Sequence, residues 1–212
     1  MRKFTDAEAG LLEELILNRR DVRGNRFIAA PVEDDIISKL ISVALNAPSV
    51  GFSQPWEFVI IKDATIKAKI KETFCEENEK AAGVFKDEKQ QEYIRLKLEG
   101  IIEAPVNIAV FYKPAVGPVL GQTSMGEVGL YSVICAVQNM WLMARALNIG
   151  IGWVSILDPE KVKSILKAPP ANKLVAYLCV GHVDQFSDKP ELEILEWEKR
   201  KQKDAVLFFD SY

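Results

Sequence analysis

Arg19-Arg20-Asp21-Val22-Arg23 and, one helix downstream, Ala47-Pro48-Ser49-Val50-Gly51-Phe52-Ser53-Gln54-Pro55-Trp56 are the two stretches on which the reading of this chain turns. The first packs three guanidinium groups around one carboxylate, directly after a helical segment, and Arg26 follows closely. A guanidinium offers paired donors in a fixed plane, which suits phosphate. A solvated basic turn would explain the cluster equally well if it stood alone. The second stretch weighs against that: Ser49, Val50, Gly51, Ser53 and Gln54 offer backbone amides and small polar side chains that can approach a planar heterocycle closely. Asp21 sits among the cations, and neighbouring positive charge lowers a carboxylate's pKa. It is therefore expected to be ionised near neutrality unless strongly buried. Either it holds the arginines in place or it has a chemical role.

Composition narrows the class. The 212 residues are enough for one large domain or two small ones with a substantial core. Hydrophobic residues at 49% and charged residues at 27% fit a globular chain and argue against disorder. A net charge of −3 argues against non-specific nucleic-acid binding, so the arginines point to a small anion rather than a polyanion. Cys75, Cys135 and Cys179 are far apart and odd in number, which suggests neither a zinc site nor a disulfide framework. His182 is the single histidine, so neither a metal centre nor a Ser-His-Asp triad is expected. After Met1-Arg2-Lys3, the acids Asp6, Glu8, Glu13 and Glu14 interrupt any secretory apolar run. A cytoplasmic protein is the expectation.

The pattern predicts a helix over 5–19, where Thr5 and Glu8 have capping-box spacing and Leu11, Leu12, Leu15 and Ile16 form an apolar stripe. A second helix is predicted over 33–46, stopped by Pro48, and a strand over 56–61. Residues 65–103 are charged, mostly helical and broken near Ala82-Gly83; they read as the least core-like part, an excursion or lid. A short apolar strand is predicted over 106–112, then a loop over 114–125. Residues 127–148 form the longest apolar helix, better explained by burial or a subunit interface than by a membrane, given Gln138, Asn139 and Arg145. A glycine-rich strand over 149–157 follows, then a helix capped by Asp158-Pro159-Glu160 and a last strand over 173–183. The tail 184–212, with Trp197, Phe208 and Phe209, is expected to dock on another surface. The whole, residues 1–212, reads as one α+β domain, with no dinucleotide-binding glycine fingerprint and no P-loop.

Taken together, these segments resemble the nitroreductase superfamily of FMN-binding homodimers over nearly the whole chain. The resemblance implies a mixed central sheet flanked by helices and a long central interface helix. Position 21 departs from the family's usual pattern, carrying aspartate where serine is common. With Gly121-Gln122-Thr123-Ser124-Met125, Leu130-Tyr131-Ser132-Val133 and Gly152-Trp153-Val154-Ser155-Ile156, this is similar to the 5,6-dimethylbenzimidazole synthase branch. That likeness implies that reduced FMN is a substrate, fragmented with molecular oxygen, and that a separate flavin reductase supplies it. No metal, nucleic acid or membrane is implied. Arg19, Arg20 and Arg23 would grip the phosphate and ribityl oxygens, and Pro48 to Gln54 would come from the partner subunit. Trp153, Val154 and Ser155 would lie along the ring, and Arg200 would reach the phosphate. Asp21 and Ser155 would carry the fragmentation, Asp21 as base or proton shuttle and Ser155 as a hydrogen-bonding group. Two other readings stay open: an NAD(P)H-dependent flavin or nitro reductase, and a non-catalytic FMN-binding protein.

Overall fold

The computed structural model describes residues 2–212; Met1 lies outside the described residues. Four strands, β1 (Trp56–Ile61), β2 (Val106–Tyr112), β3 (Ile149–Val154) and β4 (Lys173–His182), form one sheet in the order β1-β2-β4-β3. Seven α-helices accompany them: α1 (Asp6–Asn18), α2 (Asp34–Ala44), α3 (Ala64–Ala82), α4 (Asp87–Arg95), α5 (Val128–Ala146), α6 (Pro159–Leu166) and α7 (Glu191–Ile194). Every strand pair is antiparallel, with Trp56 opposite Tyr112, Val106 opposite Val180 and Ile149 opposite His182. The mixed sheet expected from the sequence is thus reduced, among the described residues, to an antiparallel sheet with one parallel bridge, Asp21 to Ile151.

β2 is buried along its whole length, so its alternating side chains feed two cores. Val106, Ile108, Val110 and Tyr112 join Leu40 and Ala44 of α2 and Val133, Val137 and Met140 of α5 on one face. Ala109 and Phe111 join Ile70 and Phe74 of α3 and Val162 of α6 on the other. Each of the larger aliphatic and phenylalanine side chains among them contributes about 1.5–3 kcal/mol by leaving water, and helices covering both faces give a three-layer domain. α5 is buried because it is the central helix of the first layer; no helix among the described residues is long and apolar enough to cross a membrane.

Two expectations fail here. The 65–103 stretch is not peripheral throughout: Ile70 and Ile101 are fully buried, as is the charged Glu99. Apart from the buried Lys67, the charges of α3 are on its more exposed side, which hid the inward stripe. The apolar stripe of α1, in turn, packs little within the chain. α1 has the expected capping box at Thr5 and Glu8, yet no buried residue, and Leu11, Leu12, Ile16 and Leu17 are each at least half exposed.

Candidate functional site

A backbone approach that only glycine permits sets the position of the arginine motif. Residues 21–22 run beside β3, and the Val22 amide donates to the Ile151 carbonyl at 3.0 Å. A Cβ on Gly152 would lie 2.0 Å from the Val22 carbonyl oxygen, and one on Gly150 would lie 2.4 Å from Val183 Cγ1. The glycines of β3 thus make room for the chain's own Asp21-Val22 and for Val183.

Asp21 is thereby held at two points. Oδ1 accepts the Trp153 amide at 2.8 Å, and Oδ2 forms an ion pair with Arg23 Nη2. Arg23 Nη1 donates to the carbonyls of Leu98 (3.2 Å) and Trp153 (3.4 Å). Arg23 is therefore the partner of Asp21 more than a free phosphate fork. The expected lowering of the Asp21 pKa is reversed. Burial pushes it up, against the pull of Arg23, the Trp153 amide and Arg19, and with a small push from Glu191. Desolvation penalises the charged carboxylate more than one well-placed cation rewards it. About 30% of its side chain stays open, and Asp21 lines a cavity of about 140 Å³.

That cavity is walled by Arg19, Arg20, Asp21 and Arg23 on one side and by Leu96, Lys97 and the 190–195 segment on the other. Arg19 lays its guanidinium over the Trp141 ring, 4.6 Å from the centroid, and forms no ion pair among the described residues. Arg20 plays a structural part. Its donors go to the carbonyls of Leu17 (2.7 Å), Arg19 (2.8 Å), Ser187 (2.9 Å) and Asp188, tying the end of α1 to the tail. Burial and then the charges of Arg19, Arg200 and Arg145 lower its pKa. Arg200 is exposed, and its charge acts on Arg20. This set of cations, with Asp188 opposing them at Arg20, suits a bound anion such as a phosphate.

The second motif lies elsewhere in the subunit. Pro48 is exposed, the Val50 amide donates to Ser132 Oγ at 3.1 Å near the start of α5, and the Gln54 amide donates to Ser49 Oγ at 3.1 Å. Gly51 has φ 55°, and a Cβ there would come within 2.7 Å of the Leu120 carbonyl oxygen. Ser53 and Gln54 line a separate cavity with Tyr112 and Gln122, and Ser53 Oγ is buried without a partner among the described residues. None of 48–54 lines the arginine cavity. Nor does Ser155, exposed just beyond β3. Val154 is buried in the second core, so only its backbone could face a ligand, while Trp153 is half-buried and serves Asp21 and Arg23 through its backbone. Sequence reasoning missed Lys97, Leu96, Glu191, Leu192 and Leu195. They reach the site from far along the chain, and only the helical lysine-and-glutamate excursion and the polar tail hinted at them.

Comparison with known proteins bears on this arrangement. The 5,6-dimethylbenzimidazole synthase of Rhodospirillum rubrum is 42% identical over 197 residues, 92% of each chain. That of Rhodobacter capsulatus is 36% identical over 198 residues, 92% of this chain and 95% of its own. Among solved structures, an oxidised iodotyrosine deiodinase bound to FMN and 3-iodo-L-tyrosine matches with a TM-score of 0.74 at 20% identity, over 95% of this chain and all of that one. A BluB-like flavoprotein from Clostridium difficile 630 matches with a TM-score of 0.71 at 21% identity, over 94% and 99% of the two chains. At these identities the two structures bear on the fold alone. The Nitroreductase family profile covers residues 16–182, from the end of α1 to the end of β4, and the chain belongs to the nitroreductase family.

Proposed function

We propose that this protein is a 5,6-dimethylbenzimidazole synthase that takes reduced FMN as its substrate and, with molecular oxygen, yields 5,6-dimethylbenzimidazole and erythrose 4-phosphate. The product would serve as the lower ligand of cobalamin. The observation that carries the reading is a carboxylate at position 21, clamped between Arg23 and the Trp153 amide at the edge of a cationic cavity. The relatives bearing that activity in their names, 42% and 36% identical over most of the chain, support it.

The donor set fits the phosphate end of FMN. Arg19 is unpaired by any carboxylate among the described residues, and Lys97 faces the same cavity. A cavity of about 140 Å³ is less than half the roughly 300 Å³ at the low end of small-molecule sites. One subunit therefore encloses only part of a flavin. Residues 48–54, partly exposed and absent from the lining of this cavity, would come from a partner subunit to cover the ring. The exposed apolar residues of α1, with Tyr131 and Ile134 of α5, suit that homodimer.

Reduced flavin supplies the electrons for oxygen activation, and the chain's residues bind, orient and move protons. Asp21, its pKa raised by burial, would be a stronger base than an ordinary carboxylate. The guanidinium beside Oδ2 disfavours a proton there, so Oδ1 takes it. Ser155 would orient the ring or an oxygen atom by hydrogen bonding, and α4 with the tail would exclude water. A separate reductase in the cytoplasm would supply the reduced flavin.

Optical titration tests the reading against its rivals. FMN reduced in the presence of the protein and then exposed to air should return less than its starting absorbance, with no NAD(P)H required. Full recovery of FMN together with steady NAD(P)H consumption would instead make the protein a flavin or nitro reductase.

A further inference from the structure

Consecutive carbonyls, those of Leu98 and Glu99, accept hydrogen bonds from Arg23 Nη1 at 3.2 Å and the Gly24 amide at 2.8 Å. The segment 98–101 is thus the rail on which the Arg23 end of the motif is seated. What holds the rail is the Glu99 side chain, only 2% exposed and outside the cavity lining. Its Oε1 pairs with Lys71 of α3 at 2.6 Å and with Lys97 at 3.3 Å, and its Oε2 accepts the Ile101 amide at 2.7 Å. Against the desolvation of burial, the Lys71 hydrogen bond, the Ile101 amide and the charges of Lys71 and Lys97 hold its carboxyl below the ordinary range. A buried carboxylate so fully satisfied fixes its own backbone firmly, and removing its charge strands Lys71 and leaves Lys97 to Glu103 alone.

We infer that Glu99 is a positioning residue for the candidate site: by anchoring segment 98–101 it seats Arg23 against Asp21 and so sets when Asp21 gains and loses its proton. The inference rests on the site reading above and names how that site is regulated from outside the cavity. The charged and titratable groups facing Asp21 are Arg19, Arg20 and Arg23 of its own segment, Lys97 before the rail, Glu191 of α7 and Cys179 of β4. Those around Glu99 are Lys71 of α3, Lys97 and Cys179, with Glu103 sharing Lys97.

The experiment is a ¹³C NMR titration of the Asp21 carboxyl in the full-length protein, assigned by its absence in Asp21→Asn and repeated in Glu99→Gln and Lys71→Met. If Glu99 acted through its charge alone, removing that negative charge would lower the Asp21 midpoint and removing the lysine would raise it. If it acts by position, Arg23 loosens in both variants. The midpoint then rises in both, by about one pH unit on loss of a neighbouring guanidinium, and FMN binds about tenfold more weakly. An unmoved midpoint, or opposite movements, would overturn the proposal even if melting temperatures fall. Should Glu99→Gln fail to fold, a crystal structure of Lys71→Met decides, and Arg23 still seated on the Leu98 carbonyl would refute it. A wild-type chain that binds no FMN contradicts the functional reading, while the Asp21 titration still judges this one.

Discussion

Gly152 has no room for a side chain, because its missing Cβ is replaced by the Val22 carbonyl oxygen. Gly152→Ala must therefore push the Asp21–Val22 segment off β3. We expect a loss of about 1–3 kcal/mol, the range for overpacking a tight interior, read from urea unfolding, together with loss of FMN binding. Asp21 makes a second prediction at this scale. Burial raises its pKa above the ordinary 3.8, so the folded chain holds that proton more tightly than the unfolded chain. The associated stability is fully present below the unfolded value and is lost as pH rises through the raised folded value. Asp21→Asn lacks this dependence. The melting temperature of the variant minus that of the wild type should grow as pH rises from about 4 to about 8, and a gap that shrinks would show the carboxyl to be stabilised as an anion.

α4 and the tail meet through aromatic side chains. Phe85 stacks on Tyr93 at 5.0 Å between centroids, Trp197 meets Phe85 edge-on at 5.3 Å, and Lys89 lies 3.7 Å over the Trp197 ring. Leu96 and Lys97 just beyond α4, and the 190–195 segment just before Trp197, are the two outer walls of the cavity. Trp197→Ala should speed amide hydrogen exchange across residues 85–97 and raise the FMN dissociation rate severalfold. Unchanged exchange would mean the tail does not hold α4. Elements were the most legible scale in the sequence. The β1 and β2 bounds follow from runs of apolar residues, and α1 and α6 from their caps at Thr5 and Asp158. The site was legible only in part. Arginine spacing marks an anion-binding segment, but where each guanidinium points depends on carbonyls as distant as Trp153 and Asp188. The burial that reverses the Asp21 pKa arises from β3 and α7, which no local pattern records.

At the scale of the molecule, the two motifs that first stood out do not meet. The arginine cavity and residues 48–54 sit apart, near opposite ends of α5: Trp141 packs on Arg19, and Ser132 holds Val50. In the proposed homodimer, a second copy would bring the two together and would also cover the exposed leucines of α1. Ile16→Glu, which places a charge on that exposed face, should shift sedimentation from dimer to monomer and weaken FMN binding at least tenfold. A monomeric variant with undiminished affinity would mean that one chain forms the whole site.

A synthase of this kind consumes its flavin, whereas a reductase recycles it. Chemically reduced FMN should be incubated with the protein in air and the small molecules identified by mass. 5,6-Dimethylbenzimidazole should appear in step with the FMN lost, and none should form with Asp21→Asn. Complete recovery of FMN, with no dimethylbenzimidazole formed by the wild-type chain, would contradict the synthase reading.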